Sequence, residues 1–80
     1  MIKVSVITTA YNCESFIKES ISSILSQSFL DFEFIIINDG STDKTSDVVL
    51  GFNDSRIRFI NHNDNKGVML RSKEAIELAN

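Results

Sequence analysis

Asp39 follows the apolar run Phe34-Ile35-Ile36-Ile37 after one intervening Asn and is itself followed by Gly40. A carboxylate just past a central strand is where doubly wound folds hold a ribose or a base by hydrogen bonds. An Asp before a Gly also builds turns by bonding its own backbone, so position alone leaves both roles open. In either role it reads as a surface loop carboxylate, whose loss should cost little stability. Tyr11 sits between small polar neighbours, with Thr9 before it and Asn12 after it. A ring there could stack on a nucleobase, worth about 1–3 kcal/mol, or cover the top of a helix. Thr9 and Asn12 could offer a hydroxyl and an amide to the same ligand, although Asn12 is better placed as a helix cap. Lys66 and Arg71 flank the start of the last helical pattern. Side-chain charge, helix dipole and free amides favour a phosphate at such a place; solvated surface charges are the plainer reading.

Other chemistries find no constellation. Asp39 and Asp43 resemble the start of a calcium loop, but the later ligands and the distal Glu are missing. Asp43 reads instead as a charge in the first turn of a helix. His62, the sole histidine, has no Cys or carboxylate cluster at metal-ligand spacing. No Gly-rich dinucleotide fingerprint follows the first strand, and neither a Walker-type loop nor a nucleophile elbow is present. Dehydrogenase, P-loop hydrolase and esterase readings fall with these motifs.

The elements that must position these residues follow from the hydrophobic periods. Lys3 to Thr8 alternates Val4, Val6 and Thr8 against Ser5 and Ile7, a buried strand. Ile17, Ile21, Ile24 and Leu25 recur at helical spacing within Glu14 to Gln27, with Asn12 as cap and Glu14 in the first turn. Phe32 to Asn38 is apolar on both faces, as in a parallel strand covered by helices, and is expected at the centre of the sheet. Ser41 or Thr42 caps a short helix ending near Leu50. Arg56 to Asn61 is a third, less buried strand, and Val68, Ser72, Ala75, Ile76 and Ala79 give a last helix. The alternation predicts an α/β chain, half of a doubly wound parallel sheet in strand order 3-2-1. In such sheets ligands bind beyond the carboxyl ends of the strands. The loops at Thr9 to Cys13, Asn38 to Asp43 and Asn61 to Gly67 therefore open onto one edge.

Composition sets the limits. Eighty residues make one small domain, near the lower end of what folds unaided. A net charge of −3, spread along the chain, gives no footprint for nucleic acid or an anionic membrane. No apolar run approaches the roughly 18 residues needed to span a bilayer, and the amino terminus lacks a signal-peptide pattern. The single Cys13 fits a reducing compartment, so the chain is expected inside the cell.

Val4 to Asn12, Ser20 to Gln27 with Ser28-Phe29-Leu30-Asp31-Phe32-Glu33 after it, and Ile37-Asn38-Asp39-Gly40-Ser41-Thr42-Asp43 stand in order along the chain. Together they resemble the opening of family-2 inverting glycosyltransferases with the GT-A fold, over essentially all of the chain. The resemblance implies a three-layer, Rossmann-like βαβαβα half of that fold, residues 1–80 being the amino-terminal nucleotide-sugar-binding part of a longer glycosyltransferase domain. It implies transfer of a sugar from a nucleotide-sugar donor, often a UDP-sugar, to a saccharide or related acceptor with inversion, as in polysaccharide biosynthesis. Thr9 and Tyr11 match the loop that contacts the base. Asp39 matches the carboxylate that hydrogen-bonds the uracil or ribose, and Arg71 the family's helix arginine, one residue early. Asn38 stands where many members have Asp.

In the resembled mechanism a divalent cation, Mg or Mn, neutralises the diphosphate while a carboxylate base activates the acceptor. Their ligands and residues are expected past residue 80, so no catalytic or metal residue is assigned, and the isolated chain is expected to be inactive. A cytoplasmic place, or one at the inner face of the membrane, is implied for the full-length protein. The alternative is a free-standing nucleotide-binding or interaction module; a nucleotidyltransferase would call for a Gly-rich phosphate loop that Thr8 to Cys13 does not provide. With no later strand beside it, the first strand would keep an unpaired edge, and the chain alone is expected to self-associate.

Overall fold

Four consecutive side chains, Phe34 to Ile37, are fully buried, and they fix the centre of the structure. The computed structural model describes residues 4–27 and 31–79. Lys3, expected to open the first strand, Ser28, Phe29 and Leu30 of the motif after the first helix, and Asn80 lie outside the described residues. The order of elements is β1 (Val4–Ala10), α1 (Ile17–Leu25), β2 (Phe32–Asp39), α2 (Thr45–Leu50), β3 (Ile57–His62) and α3 (Val68–Leu78). The strands are parallel in the order β1-β2-β3, with β2 in the middle. These are the neighbour pairs of the expected order.

The alternation in β2 sorts the core into two layers. Phe32, Phe34 and Ile36 face Ile17 and Ile21 of α1 and Val49 of α2, with Val6, Ile57 and Phe59 beside them. Ile35 and Ile37 face Ala75 of α3, with Ile7 and Ile60 alongside. Each fully buried Ile or Phe is worth about 1.5–3 kcal/mol relative to exposure, so a strand buried on both faces anchors both helical layers. Arg56, expected to open β3, precedes it. Its guanidinium bonds Asp54 at 2.7 Å, reaches the Leu25 carbonyl at 3.2 Å and lies 4.8 Å from the Phe32 ring centre, tying the end of α1 to the sheet.

Both early helices begin later than the periodicity predicts. Asn12 does not cap α1. It lies in the left-handed region at φ 48°, and its Oδ1 accepts from the Thr42 amide at 2.8 Å, across the sheet edge. The chain then turns through Cys13, whose carbonyl accepts from Phe16 and Ile17, so α1 starts at Ile17. Neither Ser41 nor Thr42 caps α2. α2 starts at Thr45, and Asp43, expected in its first turn, lies ahead of it and takes the Thr45 amide on Oδ1 at 3.0 Å. In α3 the inward side chains are Arg71 and Ala75, four residues apart on one face. Val68 and Ile76, expected inward, are exposed, because the stripe is turned toward Arg71 rather than toward the larger apolar residues.

Candidate functional site

The three strands end side by side, with Ala10 opposite Asn38, Asn38 opposite Asn61, and Asp39 opposite His62. The loops that leave them are bound to one another by side chains acting on backbone amides. Ser41 Oγ takes the Asn12 amide at 2.9 Å, Thr45 Oγ1 the Cys13 amide at 3.0 Å, and Asp43 Oδ2 the Glu14 amide at 3.2 Å. Below them Asn38 Nδ2 donates to Asn61 Oδ1 at 2.6 Å, and Asn38 Oδ1 accepts from Ser41. The amide at position 38 therefore donates on one side and accepts on the other, which an ionised carboxylate cannot do.

Asp39 turns into the third loop. Its Oδ1 accepts from the Lys66 amide and Arg71 Nε, both at 2.8 Å. Its Oδ2 accepts from Asn65 Nδ2 at 2.8 Å and the Gly67 amide at 2.9 Å. Burial pushes this carboxyl up, but the Lys66 amide, the Arg71 guanidinium and the Gly67 amide outweigh burial and hold it below the ordinary aspartate value. Asp39 is 3% exposed and Arg71 6%, which overturns the surface readings of both residues. Arg71 also reaches Asp64 through its carbonyl at 2.9 Å and its carboxylate at 3.1 Å, and the Asp39 bond foremost keeps the guanidinium firmly charged. Lys66 remains a surface cation, 3.5 Å from Asp64. His62 pairs with Glu74 at 2.8 Å, on the α3 side of the loop.

Gly40 makes this packing possible. At φ +70° its missing Cβ would lie 2.4 Å from the Asp64 carbonyl carbon, so the third loop sits directly on its backbone. Gly67, at φ +98°, gives the turn into α3.

Between the first and third loops opens a cleft of about 360 Å³ lined by Thr9, Ala10, Tyr11, Asp39, Asn65, Gly67 and Val68. Thr9, Tyr11 and Asp39, singled out in the sequence, meet there. Arg71 does not line the cleft; it stands behind Asp39. Asn65, Gly67 and Val68 were not foreseen as lining, although the Asn- and Asp-rich run at Asn61 to Gly67 marks their loop. Tyr11 is 49% exposed, leaving its ring free at the mouth. Hollows of similar volume lie between α1 and α2 and along α3, away from the strand ends. Among the described residues no group of three or more His, Cys, Asp or Glu could hold a metal ion.

The family model described as glycosyl transferase family 2 matches residues 5–80. A protein of Haemophilus influenzae (strain ATCC 51907 / DSM 11121 / KW20 / Rd), known as an uncharacterized glycosyltransferase, is 48% identical over 66 residues, covering 80% of this chain and 20% of its own length. The Escherichia coli UDP-Glc:alpha-D-GlcNAc-diphosphoundecaprenol beta-1,3-glucosyltransferase WfaP is 41% identical over 76 residues, covering 95% of this chain and 30% of its own. Among solved structures, the mannosyltransferase PcManGT from Pyrobaculum calidifontis, in complex with GDP-Man and Mn2+, superposes with a TM-score of 0.86 at 23% identity. That match covers 96% of this chain and 24% of the other, and it shows a shared fold.

Proposed function

Because the chain belongs to glycosyl transferase family 2, we propose that it supplies the donor-nucleotide subsite of an enzyme transferring a sugar from a nucleotide-sugar to a saccharide or related acceptor. The observation that carries this reading is the cleft at the carboxyl edge of the sheet, where Thr9 and Asp39, at the ends of β1 and β2, meet Tyr11 of the first loop. The site comprises Thr9, Tyr11, Asp39 and Arg71. The Tyr11 ring stacks on the base, the Thr9 hydroxyl bonds its edge or the ribose, and Asp39 with Arg71 behind it holds the opposite wall.

The donor is a UDP-sugar, a reading supported by the UDP-Glc in the name of the Escherichia coli relative. Transfer proceeds with inversion, the acceptor oxygen bonding the anomeric carbon as the bond to the diphosphate breaks on the opposite face. The divalent cation, the catalytic base and the acceptor site are placed outside these residues. A divalent cation supplies charge neutralisation for the leaving diphosphate; this chain's own part is to hold and orient the nucleoside. The strands are read as the 3-2-1 half of a wider doubly wound sheet, so the free edge of β1 is where a further strand, or a second copy of the chain, pairs.

Calorimetry of UDP on the full chain, with and without Tyr11→Ala, tests the reading. Loss of a stacking ring is expected to weaken binding roughly five- to hundredfold. Unchanged affinity in Tyr11→Ala would remove the base from this cleft.

A further inference from the structure

Asn38 and Asp39 are neighbours in the chain but face opposite layers, since successive side chains of a strand alternate. Phe34 and Ile36 share the face of Asn38 and pack on α1 and α2, whereas Ile35 and Ile37 share the face of Asp39 and pack on α3. Each of the two polar residues holds one wall of the cleft. Asp39 binds the third loop at Asn65, Lys66 and Gly67. Asn38, 3% exposed, reaches the first loop through a single intermediary, Ser41. The Ser41 amide can only donate, so its 3.3 Å bond fixes Oδ1 as the end of the Asn38 amide turned toward it and leaves Nδ2 for Asn61 Oδ1 at 2.6 Å. The Ser41 hydroxyl donates to the same Oδ1 and accepts from the Asn12 amide at 2.9 Å. Every bond runs in one direction, from the Asn12 amide through Ser41 and Asn38 to Asn61, and bonds in such a chain strengthen one another.

We propose that Asn38 and Ser41 are positioning residues of the nucleotide cleft: acting through the Asn12 amide, they set where the Tyr11 ring stands relative to the wall built on Asp39. The proposal rests on the nucleotide reading of the cleft and adds to it two residues that do not line it. Tyr11 is 49% exposed, so its ring takes its place from the backbone that carries it. The next residue of that backbone, Asn12, lies at φ 48°, a conformation costlier than the ordinary ones for a residue with a Cβ. Asn12 stays there because Ser41 takes its amide and Thr42 donates to its side chain at 2.8 Å. Asn38, buried and bonded on both sides, anchors Ser41 to the end of the sheet.

The test is calorimetry of UDP on the full chain, comparing the wild type with Asn38→Ala, Ser41→Ala, the double variant and Asn38→Asp. Each single alanine is expected to weaken binding roughly three- to tenfold, and the double variant no further, because both cut one chain of bonds. Asn38→Asp keeps the acceptor toward Ser41, and the exposed Asn61 can turn its NH2 to the new carboxylate, so it should restore most of the affinity lost in Asn38→Ala. In NMR of unliganded Ser41→Ala, the Tyr11 and Asn12 amides should shift while those of Asn65 and Gly67, on the opposite wall, stay in place. Ser41→Ala and Asn38→Asp decide the matter even where Asn38→Ala fails to fold. Unchanged affinity in Ser41→Ala, additive losses, or shifts spread equally over both walls would overturn the positioning role and leave the nucleotide cleft standing. Failure of the wild type to bind UDP would remove the nucleotide reading and this proposal with it.

Discussion

Arg71 Nε lies 2.8 Å from Asp39 Oδ1, and the two side chains are only 7% and 4% exposed. Deleting either partner leaves the other charge buried and uncompensated, a loss of about 3–5 kcal/mol in comparable pairs. Asp39→Ala and Arg71→Ala are each expected to destabilise by that amount, a large share of a small domain's stability. Urea denaturation decides the point. A loss below about 1 kcal/mol in either variant would mean that the pair is not closed in solution.

Gly40→Ala should disturb the site without touching any of its polar groups. The added Cβ meets the Asp64 carbonyl carbon at 2.4 Å and the Asn65 nitrogen at 2.7 Å, on a backbone at φ +70° that resists side chains. The third loop must move away, at a cost of about 1–3 kcal/mol. Amide exchange at Lys66 and Gly67, now protected by Asp39, is the sensitive readout, and it should quicken. Unaltered protection would place the loop farther from Gly40.

Asn12 offers a separate test of the loop clasp. Its Oδ1 accepts from Thr42, and its backbone lies at φ 48°. Asn12→Gly loses the acceptor but keeps the conformation; Asn12→Ala loses both. Asn12→Ala is expected to cost about 1–2 kcal/mol, and Asn12→Gly less. Chemical denaturation of the two variants gives the order. The reverse order would show that backbone strain at Asn12 is unimportant.

What the sequence makes legible, and what it hides, divides by the range of the interactions. The central place of β2 is plain from Phe34 to Ile37, since four adjacent apolar residues leave no solvent face. The two-layer sorting of Val6 and Ile7 follows from strand alternation. The start of α1 is not legible, because the partner of Asn12 lies about thirty residues away along the chain. Local rules make Asn12 a cap for its own helix; the fold gives its oxygen to the neighbouring loop. Arg71 shows the same effect. Alone in a helical pattern it reads as a surface cation, and only the approach of the β2 end turns it into the buried partner of Asp39.

Acid should weaken the fold with a definite sign. Bonding to Arg56 holds the Asp54 carboxyl down at about 2, and Asp39 and Asp43 also lie below the ordinary value. Such groups bind fewer protons folded than unfolded. Their contribution is therefore complete above the ordinary aspartate pKa of about 3.9 and is lost as pH falls through the folded values. Stability should drop between about pH 4 and 2, and Arg56→Met should shrink the drop by removing the partner of Asp54. Urea midpoints measured across that range check this; stability rising toward pH 2 would contradict it.

The most direct test of the donor-nucleotide subsite is shift mapping by NMR as UDP is added to the full chain. Amide shifts centred on Thr9, Tyr11, Asp39 and Gly67 are expected, with Val48 and Phe52, which line the hollow between α1 and α2, unmoved. A response centred on Val48 and Phe52, or none anywhere at about 1 mM UDP, where even weak binding would register, would contradict the assignment of the nucleotide to the cleft beside Asp39.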